Sequence, residues 1–199
     1  MNTKTPRGIL TKFYADNNLG EDGGVNKASV RIEMGTKFHI YFPNFDARRK
    51  AVLKHDMHHL LTGYTTALTG ECEISAWEIA SGCKKYWAAF LLDTSGLMLG
   101  IPFYFWGTLK AFARGRRTKN LYADQFPNEQ ALDMKIDDLR SRLDLDKYPK
   151  DTKPTFTDFV LFIIFVLFGS LYSIMLLLFL PFVILYTLYA ELSIRYASQ

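Results

Sequence analysis

The chain has 199 residues, with 24 Lys and Arg against 20 Asp and Glu and only two cysteines. That length holds one domain with a real core, and its basic residues lack the density and aromatic interleaving of a nucleic-acid surface, which excludes DNA and RNA as partners. Cys72 and Cys83 form no CxxC pair and fit two small apolar side chains on one helix face in a reducing compartment.

Residues 1–27 read as an N-terminal loop centred on "NNLGEDGG". The opening stretch is too polar for an apolar leader, which points to a domain that stays in the cytoplasm. "ASVRIEMGTKFHIYFPN" then alternates apolar and polar residues, the pattern of a short β-hairpin turning at "MGTK" and stopped by Pro43-Asn44. His39 falls in its second strand and reads as structural. Phe45 to Thr62 predicts a helix with Asn44 as N-cap and Gly63 as its stop. After the turn "GYTT" a second helix is expected from Ala67 to Cys83. Residues 87–113 are apolar and aromatic, and "DTSG" (93–96) and "GIP" (100–102) divide them into two helical pieces. A basic turn, "RGRRTKN", follows. From Asn128 to Leu143, the spacing of Leu132, Ile136, Leu139 and Leu143 predicts an amphipathic helix. "DLDKYPKDTKPT" reads as a linker.

From Phe159 to Ala190 there is no charged residue. A membrane-spanning helix needs about 20 such residues. As one straight helix this run would be about 48 Å long against roughly 30 Å of hydrocarbon. It therefore either spans once with a bend at Pro181 or folds as a shallow hairpin near Gly169-Ser170. Lys147, Lys150 and Lys153 precede it and only Arg195 follows, which favours the main domain on the cytoplasmic side. The expected fold is mainly α: an N-terminal loop (1–27), a helical metal-binding domain with a short N-terminal hairpin (28–145), a linker (146–157) and a transmembrane or membrane-embedded anchor (158–194).

The chemistry concentrates in "KHDMHHLLTGYTTALTGE", residues 54–71, which holds three of the four histidines. On a helix, His55, Asp56 and His59 fall within an arc of roughly 100°, opposite Leu53, Met57, Leu60 and Leu61. Two imidazoles four residues apart suit one chelated ion. Asp56 could add an oxygen, and Glu71, early in the next helix, could return to the same ion. Such a donor set fits zinc first, with manganese or ferrous iron as alternatives, and disfavours copper(I) because no sulfur is offered. A hydrated histidine patch with incidental acids is the plainer alternative. His58 points about 60° to one side of His55, as a residue that supports the ligands from behind or lies at the surface. Glu73 faces the wrong way to replace Glu71. Zinc-protease helices need Glu at the position of Asp56, and HD-type phosphohydrolases need further His and Asp ligands from separate helices, so both classes fit less well.

His55-Asp56-x-x-His59, eleven residues, then Glu71 resembles the HDxxH-x11-E signature of the coenzyme Q (ubiquinone) biosynthesis protein four family. "HLLTGYTTALTGE" is similar to that family's stretch around the motif, and Glu78 matches a second recurrent acid. "AFARGRRTKNLYADQFPNEQALDMKIDDLRSRLDL" is similar to its basic segment and closing helix, so the likeness covers roughly residues 43–145. It implies a mostly helical fold and a divalent metal ion on His55, Asp56, His59 and Glu71; Glu78, with His58, is then a candidate to support the ligands from behind. It also implies a polyprenylated aromatic substrate whose ring carboxylate is removed oxidatively and replaced by hydroxyl at the membrane surface, in the company of other quinone-biosynthesis enzymes. The chain departs from the family in its long apolar tail and in His58, where an aromatic is common. Prenyl tails call for an apolar channel, for which "YWAAFLL", "LMLGIPFYFW" and the C-terminal run are the candidate walls. Arg114, Arg116 and Arg117 are expected against anionic lipid head groups. The competing class is a non-catalytic prenyl-lipid binding or scaffold protein.

Overall fold

The computed structural model describes residues 4–17, 19–33, 39–123 and 127–197. Seven helices and one two-stranded sheet follow one another along these residues: α1 (Pro6–Asp16), β1 (Ser29–Glu33), β2 (His39–Pro43), α2 (Asp46–Thr62), α3 (Leu68–Ser81), α4 (Trp87–Gly115), α5 (Asn128–Asp133), α6 (Ile136–Arg142) and α7 (Phe156–Ala197). The mainly helical fold with a short N-terminal hairpin and a long apolar C-terminal helix agrees with the sequence-based expectation. The strands pair antiparallel, with Ile32 opposite Ile40 and Ser29 opposite Pro43. The expected turn at Met34–Lys37 lies outside the described residues.

Three local expectations need correction. Residues 1–27 are not all loop, because α1 starts at Thr5, whose hydroxyl caps the backbone N–H of Gly8, with Pro6 in the first turn. Its Leu10 and Tyr14 are buried in the core. The segment 87–113 does form two helical pieces within α4, but they meet at a kink at Tyr104 (φ −144°, ψ 38°), two residues after Pro102, and the chain runs through "DTSG" without a break. The glycines read as breaks are contact points instead. A Cβ on Gly96 would lie 2.2 Å from Ser75 Oγ, and one on Gly100 would lie 2.8 Å from Cys72 Cβ, so α4 can approach α3 closely only where these side chains are missing. Finally, Asn128–Leu143 is split into α5 and α6 at Met134-Lys135, although Leu132, Ile136, Leu139 and Leu143 are all buried as their spacing predicts.

The core is built around Trp77 of α3, with Met57, Leu61, Ile74, Leu97, Leu109, Leu121 and Leu139. The end of α2 is fixed with unusual completeness. Gly63 takes the left-handed conformation that closes the helix (φ 75°). The last carbonyls accept from cationic side chains: Leu61 from Arg140, Thr62 from Arg114 at 3.2 Å, and Gly63 from Lys150. Positive groups at a helix C-terminus satisfy both its orphan carbonyls and its dipole. This clamp sets the direction in which the chain turns from α2 into α3.

The helix α7 is continuous through Gly169 and Pro181, so the shallow hairpin does not form. It does not stand apart from the domain either. Phe162 is completely buried, edge-on to Phe105 and Phe112 of α4. The last turns of α7 lie beside β2.

Candidate metal centre

His55 and His59 lie one turn apart on α2, and Glu71 lies in the first turn of α3. The clamped α2–α3 corner brings the three together: one ligand atom from each lies within 4.8 Å of the others. The two imidazole Nε2 atoms are 3.2 Å apart. Glu71 places Oε2 3.5 Å from His55 Nε2 and Oε1 3.3 Å from His59 Nε2. His59 is buried, while His55 and Glu71 are partly exposed and form the open side.

The proton positions follow from the partners. His59 Nδ1 is 3.0 Å from the carbonyl oxygen of Tyr64, which can only accept, so Nδ1 carries the proton. His55 Nδ1 faces both oxygens of Glu78, at 3.1 and 3.2 Å. Glu78 is fully buried; burial favours its neutral form, but the charges of His55 and His58 and their hydrogen bonds outweigh it and hold the carboxyl well below its usual range. It is therefore an acceptor, and His55 Nδ1 donates. Both Nε2 atoms then point at the same place, next to a carboxylate. Burial opposes charge on His55, but Glu78 and Glu71 raise its pKa well above the usual imidazole value, so a proton on Nε2 is what a metal ion would displace there. At 3.2 Å the two nitrogens are held together either by a proton on one of them or by a cation between them.

The spacing suits a metal ion. Ligands about 2.0–2.1 Å from tetrahedral zinc lie roughly 3.3 Å from one another, close to the 3.2, 3.3 and 3.5 Å found between these atoms. Glu71 is ionised here. Burial raises its pKa, but hydrogen bonds and charge from His55 and His59 prevail and bring it down to about 2. His55, His59 and Glu71 could therefore hold a divalent ion, with room for further ligands on the open side.

Asp56, the fourth expected ligand, does not join this group. Its carboxylate turns toward α1 and the loop at Gly23, where a Cβ on Gly23 would lie 2.8 Å from Asp56 Oδ2 and 3.0 Å from Tyr14 Cζ. Asp56 Oδ2 is buried without a hydrogen-bond partner, and burial raises the carboxyl's pKa. The charge of His55 and a hydrogen bond with Tyr14 offset part of that cost.

Behind His55 lies a buried polar layer. His58 Nε2 accepts from the backbone N–H of Leu121 at 2.9 Å, so its Nδ1 carries a proton and donates to Glu78 Oε1 at 2.5 Å. Burial lowers the pKa of His58 and keeps it neutral, although Glu78 works in the opposite sense. Sequence reading missed the next member, Asp93 of α4, whose carboxylate is grouped with His55 and Glu78 within 4.8 Å. Burial first, then the Glu78 charge, push Asp93 well above the ordinary carboxyl range, so the pair shares one negative charge. Cys83 Sγ lies 3.6 Å from Asp93 Oδ2. Asp93 could have been found as the only charged residue between Lys85 and Lys110.

A carboxylate behind a histidine ligand fixes its tautomer and raises its basicity. Glu78→Gln is expected to weaken zinc binding by about 10- to 100-fold with the helical circular dichroism retained, as measured by competition with a chromophoric chelator.

The arginines expected at lipid head groups have structural partners. Arg114 is 1% exposed and donates to the carbonyls of Tyr148 and Thr62, at 2.8 and 3.2 Å. It is an internal strut, which corrects its assignment to the surface. Arg116 and Arg117 both bond Asp158 at 2.5 Å and keep part of their surface toward solvent. Glu73 points away from the centre, with Tyr104 Oη 3.5 Å from its carboxylate. His39 lies in β2 and pairs with Glu191 at 2.8 Å.

An open apolar groove of about 460 Å³ runs between α3, α4 and α7, lined by Ile79, Phe90, Phe112, Phe165 and Phe168, with Arg116 at its rim. Ala80 reaches it from α3, about 13 Å along that helix from Glu71. Set against models of protein families, curated proteins and solved structures, the chain matches none of them.

Proposed function

We propose that the chain is a membrane-anchored metalloenzyme acting on a polyprenylated aromatic acid, of the kind that the coenzyme Q (ubiquinone) biosynthesis protein four family carries out. The observation that supports it best is the convergence of His55 Nε2, His59 Nε2 and the Glu71 carboxylate at a spacing that a divalent cation would fit. Zinc is the first choice of ion, with iron or manganese as alternatives. When bound, the ion supplies positive charge that can hold ring phenolate and carboxylate oxygens and stabilise negative charge developing as carbon dioxide leaves.

The protein's own groups do the rest. Glu78 and His58 keep His55 in the tautomer that presents Nε2, and the Tyr64 carbonyl does the same for His59. Glu71 and His55 leave the centre open on one side for a ring to enter. The groove between α3, α4 and α7 suits an isoprenoid tail, since each buried CH₂ contributes about 0.8 kcal/mol. Replacing carboxylate by hydroxyl also needs an oxygen donor and electrons, a role for a co-substrate. The two helices Trp87–Gly115 and Phe156–Tyr196 are long and apolar enough to cross a membrane, and α4 packs closely on α3, which leaves α7 as the anchor. Lysines 147, 150 and 153 ahead of it favour a domain on the cytoplasmic face.

The second reading is a prenyl-lipid binding or scaffold protein that presents substrate to other quinone-biosynthesis enzymes; the rigid backing of the centre by buried Glu78, His58 and Asp93 would serve that role as well. Lipid profiles of cells lacking the protein decide between them when combined with rescue. A carboxylated prenyl-phenol should accumulate, and His59→Ala should fail to clear it. Rescue by His59→Ala would favour the scaffold, and an unchanged lipid profile would remove both readings.

A further inference from the structure

Both ends of α7 are tied to the same folded domain. At the start, Asp158 is fully buried between Arg116 and Arg117, at 2.5 Å from each. Along the first half, Tyr172 Oη donates to the Leu91 carbonyl at 3.2 Å. At the far end, Thr187 Oγ1 accepts from the Tyr41 backbone N–H at 3.0 Å, and Glu191 pairs with His39 at 2.8 Å. From Asp158 to Glu191 the helix rises about 50 Å.

Suppose α7 crossed a bilayer. Its charged ends would then sit at opposite water interfaces, roughly 30 Å of hydrocarbon apart. Arg116 and Arg117 would lie on one side and β2 on the other. Yet β2 runs through Pro43 and Asn44 directly into α2, which carries the metal centre. Asn44 also bonds the carbonyls of Gly24, Val25 and Lys27, so the hairpin is locked to the loop after α1. The hairpin, a two-stranded sheet carrying Arg31 and His39, would have to lie within or beyond the hydrocarbon, where lipid-exposed open sheet edges are not tolerated.

We propose that α7 is monotopic: it lies lengthwise in one leaflet, with one stripe packed on the domain, the remainder in lipid hydrocarbon, and both ends on the same side of the bilayer. Positions 162, 166, 169 and 173, then 183, 187 and 190, face the protein at helical spacing. Between these two sets, residues 174–182 are exposed around the whole circumference. A protein partner would cover one side of such a helix; a fluid hydrocarbon surrounds it. The serine hydroxyls within the run are satisfied by the helix itself, since Ser170 and Ser173 donate to the carbonyls of Val166 and Gly169, each at 2.8 Å. Phe103 and Trp106 of α4, 87% and 68% exposed, flank Phe105, which packs on Phe159 and Phe162, and extend the apolar surface beside the start of α7.

This inference rests on the membrane half of the proposed function and not on the metal chemistry. The test uses the full chain in right-side-out and inside-out membrane vesicles from expressing cells, and a membrane-impermeant maleimide. The parent chain, whose Cys72 and Cys83 are buried, sets the background. Lys153→Cys, exposed just before α7, and Ser193→Cys beyond Glu191 report the two ends. Both should label in the same vesicle orientation and stay protected in the other until the vesicles are lysed. Labelling in opposite orientations would show a crossing helix and overturn the monotopic placement while leaving membrane anchoring intact. Recovery of the unmodified chain as a soluble oligomer, without vesicles, would overturn the anchoring itself and assign α7 to a second copy.

Discussion

His59→Ala is expected to lower the affinity for zinc by at least about 100-fold, beyond the range typical of residues that only support a ligand. His59 is 4% exposed and gives the centre its innermost nitrogen, held in place by the Tyr64 carbonyl. Without it, His55 and Glu71 remain as two partly exposed donors. Chelator competition measures the loss directly. Thermal unfolding supplies a second readout, because zinc at 100 times its Kd should stabilise the parent by about 2.7 kcal/mol and the variant far less. His39→Ala is the control, since His39 lies in β2 with Glu191 as its partner, and its zinc affinity should equal that of the parent. Equal affinity of His59→Ala and the parent would mean that the ion binds elsewhere.

Asp158→Asn should cost about 3 kcal/mol of stability, because it leaves two guanidinium groups without their shared carboxylate in a site where that carboxylate has no solvent contact. Burial alone would raise the Asp158 pKa. The Thr155 backbone N–H and hydroxyl together with Arg117 and Arg116 reverse this and bring it to about 2, below the ordinary 3.8. A folded-state pKa below the unfolded one contributes stability that is fully present above the unfolded value and is lost as pH falls through the folded one. The stability gap between parent and variant should therefore be complete at pH 7, begin to shrink below about pH 4 and have largely closed near pH 2. Urea unfolding in detergent at these pH values measures it. A gap that does not change with pH would show that the loss comes from packing rather than from the charge.

Much of this architecture could be read from local pattern. The spacing of His55 and His59, with Gly63 beyond them, marks α2 and its end, and the uncharged run from Phe159 marks α7. The return of Glu71 to the histidines also follows from spacing, because a tight corner leaves few directions for the next helix. Other features depend on contacts distant in the chain. Asp56 shares the face of His55 on a helical wheel, but an arc of about 100° is wide, and its carboxylate turns to Tyr14 and Gly23, which no local pattern places beside α2. Arg114 sits in a basic cluster that suggests the surface, while its partners Thr62 and Tyr148 are remote in sequence and bury it. Gly96 and Gly100 have the composition of a break and the role of a close helix contact, a distinction made only by the facing side chains Ser75 and Cys72. Weakly apolar α1 reads as loop, and Thr5-Pro6 is the one local signal that could have marked its start.

Zinc-edge X-ray absorption on the metal-loaded full chain tests the central claim, that one cation joins α2 to α3. The account predicts two imidazole nitrogens at about 2.0–2.1 Å with oxygen completing the shell and no sulfur, and the loss of one imidazole in His59→Ala. Sulfur in the shell, or an imidazole signal that His59→Ala leaves unchanged, would contradict it.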